Sequence, residues 1–353
     1  MNICFCGDIM PGGILAYQET YMSSELQAHL NSFDFRIGTL EAAIGTGLAY
    51  DPVKMKGRAN IIYARNEDFF RVKEMGLNIV SLANNHIYDL GEEGLRNTIK
   101  ILKENDILYC GAGLNADEAA RPVVIEKDDK RIAIYAYCMY GNKWLGYVEL
   151  AGKDKPGVNP LNIDKVVDDI KEAKKEYDYV IVMPHWGREY RYEPLPECVQ
   201  MAKQMIEAGA DAVLGSHPHQ VQPTIKYKKG YICFSMGNFL FPDFYMYPPR
   251  PIWYPTPEDD LSEIKEVVGY PFPIEEPMKQ VWNPKSRYGC MIEMDITGRG
   301  MDVCVRYAHL AADNVLNLSD GERRMKFQLL KTGKKIKSPA FRFFIRCITK
   351  VRI

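Results

Sequence analysis

The chain has 353 residues, 46% apolar and 26% charged, the composition of a soluble globular protein with room for an extensive core. Lys+Arg total 45 against 46 Asp+Glu, a net charge of −1, which excludes the broad basic field of a nucleic-acid binder. No apolar run reaches the ~18 residues of a spanning helix, and nine scattered cysteines, an odd number, fit reduced core thiols rather than a disulfide framework.

The opening "MNICFCGDIM" reads as a strand over residues 2–8 that runs into a turn. It shows no basic region followed by an apolar stretch, so no secretion signal is expected. Cys4 and Cys6 share one face of this strand, and core packing is their expected role over a metal pair. "FRIGTLE" (35–41) predicts a second strand that ends on an acid. "NEDFFRVKEMG" (66–76) closes on Gly and predicts a helix, followed by the nearly continuous apolar strand "LNIVSLAN" (77–84). Apolar residues at 95, 99 and 102 of "LGEEGLRNTIKILKEND" (90–106) give a helical stripe. Further on come helix "NIDKVVDDIKEAKKEY", strand "DYVIVMPHWG", helix "PECVQMAKQMIEAG" and strand "ADAVLGSH". Alternation of this kind predicts βαβ crossovers and parallel sheet, while hairpin-like stretches near 121–137 and 221–241 make the sheets mixed.

Residues 242–284 break the pattern. They hold ten of the 21 prolines and many aromatic residues, which disfavours helix and central strand. An ordered insertion covering the domain is expected there, a lid for sugar or peptide, set into a single domain made of 1–241 and 285–325. The tail 326–353 is basic. Phe341, Phe344, Ile345, Ile348 and Val351 fall at helical spacing, with Arg342, Arg346 and Lys350 on another face. An amphipathic helix of that kind docks on its own domain, on a partner, or on an anionic membrane.

Polar residues gather where the apolar strands end: Asp8, Glu41, Asn84, Asn85, His86, His185, His217 and His219. In α/β folds such ends line one ligand-binding edge. A single buried imidazole is usually structural, but four of the six histidines fall in this set, beside two carboxylates. Imidazole, carboxylate and amide oxygen together suit one or two divalent ions of the Mn, Zn, Fe or Ni type. The absence of cysteine from the set argues against a closed structural zinc site. An extended His217-Pro218-His219 is expected to send both imidazoles to one side.

Seven blocks in order, "GDIMPGG", "TLEAAIG", "SLANNHIYDLGEEGLRNTIKIL", "GAGLNADEA", "HWGREY", "GADAVLGSHPHQVQP" and "FSMGNFLF", cover about residues 2–241. They resemble the bacterial capsule synthesis CapA family of poly-γ-glutamate capsule proteins, which are related in fold to calcineurin-like metallophosphoesterases. The resemblance implies a four-layer αββα sandwich with two mixed β-sheets. It also implies one ion held by Glu41, Asn85, His185 and His217, and another by Asp8, Glu41 and His219. Two departures stand out: Met10 replaces the histidine of an Asp-x-His pair, and Glu41 replaces a bridging Asp. His86, oriented by Asp89, takes the catalytic role in this reading. Asn84, Arg188, Glu189, Tyr190 and Asn238 are the expected substrate contacts. The function so implied is metal-dependent hydrolysis in capsule or exopolysaccharide production. The alternative is a non-catalytic assembly factor that binds an anionic polymer or envelope precursor. Nucleic acid is not an expected partner, and a cytoplasmic location is expected, with the tail touching the inner membrane face.

Overall fold

A computed structural model describes residues 1–56, 60–141, 143, 145–249, 251–269, 274–298 and 300–338. Two large sheets form its centre. The first runs in the order 316–319, 300–310, 288–297, 2–9, 35–40, 79–81, 108–110, with 238–240 paired beside the end of 2–9. Its inner strands are parallel, and the three strands from 288 onward are antiparallel. The second runs 224–227, 230–233, 212–214, 179–185, 130–138, 123–127, with four parallel strands flanked by antiparallel edges. Both hairpins read from the sequence, at 123–138 and 224–233, are present.

Alternation along the strands sorts the layers. Ile132, Ile134, Ile181 and Met183 face the core shared with the first sheet, where Ile3, Phe5 and Ile37 lie. Tyr137, Val180 and Val182 point the other way, against Val166 and Ile170 of helix Ile163–Ala173 and Val199 and Ala202 of helix Pro196–Ala208. Helices Ser24–Leu30 and Gly91–Glu104 lay Leu26, Leu30, Leu95, Ile99 and Leu102 onto the first sheet. The result is the four-layer α/β/β/α sandwich.

The Pro/aromatic segment contributes more than coil: strands Phe244–Met246, Ile252–Trp253, Lys265–Val268 and Met278–Val281 form a small separate sheet. Each strand is short, and the described prolines lie outside these four strands, where no ladder donor is required. Beneath it lies a third apolar cluster that includes Met10, Ile62, Phe241, Phe244 and Trp282. At the other end, helix Arg323–Lys337 packs on strand Thr224–Tyr227. The apolar stripe expected at 341–351 lies outside the described residues. Cys4 and Cys6 are both buried, with sulfurs 3.9 Å apart, and are core residues.

Candidate metal centre

The parallel strands of both sheets direct their carboxyl ends to one edge, and every sequence-selected ligand sits there. Asp8 lies near the end of strand Asn2–Ile9, Glu41 directly after Phe35–Leu40, and Asn85 in the turn after Ile79–Ser81. His185 ends strand Tyr179–His185, and His217 and His219 follow Ala212–Leu214. Gly7 makes the Asp8 corner feasible: a Cβ there would lie 1.9 Å from the Gly237 carbonyl, so only glycine lets strand 238–240 close against Asp8.

The side chains meet in the cleft. His185 Nε2 is 2.8 Å from Asn85 Oδ1 and 3.4 Å from Glu41 Oε1. His219 Nε2 is 3.7 Å from the same Glu41 oxygen. The His217 ring lies 4.9 Å from that of His185 and 5.9 Å from that of His219, centroid to centroid. Ligand atoms of Glu41, His217 and His219 fall within 4.8 Å of one another, as do those of Asp8, Glu41 and His185. Glu41 is thus common to both groups, and His219 also lies 3.9 Å from Asp8. The His217-Pro218-His219 turn is not extended, contrary to the sequence expectation. Both histidines hold left-handed backbone, at φ 92° and 50°. Such conformations cost of order 1–3 kcal/mol each and persist where the surroundings enforce them. Here the His217 N–H donates to Asp8 Oδ2 at 3.1 Å.

Burial sets the electrostatics. Asp8 and Glu41 are fully buried, and Asp8 Oδ1 and both Glu41 oxygens have no hydrogen-bond partner among the described residues. Burial raises the Asp8 carboxyl to about 7 against the pull of the His217 N–H, and burial, aided by the Asp8 charge, also holds Glu41 well above the usual carboxylate range. Burial lowers His219 to about 3 and also lowers His185, so both imidazoles are neutral lone-pair donors at pH 7. Two adjoining buried carboxylates with unused lone pairs and neutral imidazoles facing them form a donor set that fits a divalent cation.

A second ring of contacts orients the donors. Asn238 Nδ2 donates to the Ser286 carbonyl at 3.0 Å, so its Oδ1 accepts from His219 Nδ1 at 2.9 Å and the Nε2 lone pair faces Glu41. Ser216 Oγ lies 2.9 Å from His185 Nδ1. Asn238, expected to meet substrate, thus makes a protein contact at each end of its amide. Asn84 is anchored in the same way. Its Nδ2 donates to the Leu40 carbonyl and its Oδ1 accepts the His86 and Ile87 N–H groups, which fixes the turn that presents Asn85 and His86.

His86 stands at the cleft mouth, 9% exposed, with Nδ1 donating to Asp89 Oδ2 at 2.7 Å. Asp89 also takes the Ile62 N–H and the ammonium of Lys54, which reaches the Asn85 carbonyl as well. Lys54 escaped the sequence reading because "DPVKMKG" gives no periodic or motif signal for a buried lysine. Ser216 adjoins the ligand pair in "GSHPH", and that adjacency was the available clue. Trp282, from the small sheet, packs its ring 5.0 Å from His219, a contact that Pro-rich sequence does not announce. Arg188, Glu189 and Tyr190 are half-buried and line an open cleft of about 420 Å³ with Lys143 and Arg191. The Glu189 charge reaches Glu41, and the Tyr190 ring lies 6.3 Å from His219. Met10 takes part in none of these contacts. It is fully buried in the apolar cluster under the small sheet, and its sulfur accepts the Gly12 N–H at 3.2 Å.

Residues 2–243 match the family model described as "Bacterial capsule synthesis protein PGA_cap". The capsule biosynthesis protein CapA of Bacillus anthracis is 33% identical over 258 residues, covering 68% of this chain and 60% of that protein. The PGA biosynthesis protein CapA of Bacillus subtilis (strain 168) is 29% identical over 248 residues, covering 68% and 63%. The matched region therefore spans less than two thirds of either relative. Among solved structures, the NAD nucleotidase of Haemophilus influenzae aligns at 12% identity and a TM-score of 0.43, over 99% of this chain and 67% of that one.

Proposed function

Because this chain belongs to the bacterial capsule synthesis PGA_cap family, we propose that it serves capsule or poly-γ-glutamate production as a metal-dependent hydrolase acting on an envelope polymer or its phosphorylated precursor. The observation that carries this reading is Glu41: a fully buried carboxylate of the first sheet with both oxygens unused, reached by two imidazoles from the second sheet. Asp8, Glu41, His185, His217 and His219 would hold the ion, with Asn85 Oδ1 beside them. When bound, a divalent cation supplies Lewis acidity and lowers the pKa of water.

The protein's own groups do the rest. Asp89 is an acceptor three times over, from Lys54, the Ile62 N–H and His86 Nδ1, so it fixes the tautomer of His86 and leaves Nε2 directed to the cleft. From there the imidazolium form of His86 would pass its Nε2 proton to a leaving group and return to the neutral Nδ1–H tautomer, a role worth roughly 10²–10⁴ in rate. The Asn84 turn keeps His86 next to Asn85. Arg188, Lys143 and Arg191 give the cleft wall positive charge, suited to phosphate or carboxylate. Trp282 and Tyr190 cover His219 and keep water from that side.

A second reading draws on Met10. Apolar packing stands where the related pattern has a ligand, which favours a polymer-binding assembly factor without turnover. Assays with bis-(p-nitrophenyl) phosphate and γ-glutamyl peptides in added Mn²⁺ separate the two. Hydrolysis by the wild type that falls by roughly 10²-fold or more in His86→Ala, with metal content unchanged, supports the enzyme. Polymer binding with no turnover of either substrate class supports the assembly factor.

A further inference from the structure

We infer that the outward face of helix Arg323–Lys337 is a docking surface for a bilayer that carries anionic phospholipid. The helix sequence RRMKFQLLKTGKKIK contains seven basic residues and no acid. Its inner stripe, Met325, Leu329, Thr332, Gly333 and Ile336, is buried against the domain. On the opposite side Arg323, Phe327, Leu330 and Lys334 follow one another at spacings of four, three and four, which puts them on one line. Phe327 is 68% and Leu330 66% exposed, the two most exposed large aromatic or leucine side chains among the described residues. Helix formation does not require apolar groups on a water-facing side, and the domain already uses the other face.

Charge complementarity selects the partner. Arg323, Lys331 and Lys334 surround Phe327 and Leu330 and are all exposed. Lys335 is turned aside to pair with Glu193, 3.1 Å away, and Lys326 donates to the Asp320 carbonyl. Those two serve the fold, and the remaining cations face outward. An aromatic and a leucine within a ring of cations are what a lipid interface takes up: the apolar pair enters the acyl boundary while the cations meet phosphate headgroups. A soluble polyanion would use the charges and gain nothing from Phe327 and Leu330. The sequence continues in kind, with Arg342, Arg346, Lys350 and Arg352 and no acid after Glu322. This surface is separate from the metal centre, and its test does not depend on turnover.

The test is flotation of the full chain with phosphatidylcholine vesicles, with and without phosphatidylglycerol. The expected result is binding to the anionic vesicles alone, weakened by salt. Phe327→Ser with Leu330→Ser abolishes it, and Lys331→Glu or Lys334→Glu lowers partitioning by about fivefold or more each. All four side chains are exposed, so unchanged thermal unfolding is the control for each variant. Three results would overturn the inference: no flotation with anionic vesicles, equal flotation by the Phe327/Leu330 variant, or binding to soluble polyglutamate but not to vesicles. A wild-type dimer in light scattering that the same double variant dissolves, without vesicle binding, would instead assign the face to a second copy of the chain.

Discussion

Glu41, fully buried with neither oxygen hydrogen-bonded among the described residues, is the residue on which the proposed metal centre turns. A carboxylate with no hydrogen-bond donor inside a protein is expensive, and the protein meets that expense in one of two ways, by taking up a proton or a cation. Its neighbours are aimed rather than merely near. Asn238 leaves the Nε2 lone pair of His219 directed at Glu41, and Ser216 holds His185. Orienting groups of this type are typically worth 10–100-fold in metal affinity. Asn238→Ala is therefore expected to weaken Mn²⁺ binding by about that factor in a calorimetric titration while the protein remains folded; unchanged affinity would remove Asn238 from the site.

At the scale of elements, the site depends on strand ends and on the turns that follow them. The strand ends were legible in sequence because each is an apolar run closed by Asp, Glu, Asn or His, and the structure places all six expected donors at one edge. The conformation of His217-Pro218-His219 was not. Proline restricts the residue before it toward extended backbone, yet both histidines hold left-handed geometry, with the His217 N–H on Asp8. The roles of Asn84 and Asn238 were hidden because an amide at a strand end looks alike whether it faces ligand or backbone. The small sheet was hidden because its strands are two to four residues long, too short for a period to show. Trp282 ties that sheet to the centre, 5.0 Å from His219 and 5.1 Å from Phe241. Trp282→Ala should lower unfolding free energy by about 3–5 kcal/mol and raise the access of water to His219, read as a lower urea midpoint with weakened metal binding. A midpoint equal to wild type would mean that the sheet is only decoration.

At the scale of the whole molecule, the centre joins two sheets that otherwise meet through apolar packing, so protons and cations there act on global stability. Asp8, raised to about 7, and Glu41, raised well above its ordinary value, stabilise the metal-free protein when protonated, and that contribution fades as pH rises through their folded values. His185 and His219, both lowered, act oppositely: their contribution is gained as pH rises toward 6.5, the ordinary histidine value. The two effects offset each other below 6.5, and above it only the carboxylate loss remains. Chelated protein should therefore lose stability as pH rises above 6.5, and Glu41→Gln should flatten the decline. A stability that climbs over that range in chelator would contradict these assignments. Added metal should reverse the loss, since deprotonated carboxylates are what it binds, by about 2.7 kcal/mol at a hundredfold excess over Kd.

The most direct test of the centre is a calorimetric titration of Mn²⁺ or Zn²⁺ into chelator-stripped protein near neutral pH, with Glu41→Gln and His217→Ala beside the wild type. The account predicts saturable binding by the wild type at one or two ions per chain, proton release on binding, and loss of the tight phase in both variants, which stay folded. A wild type that takes up no ion, or variants that bind as the wild type does, would contradict it.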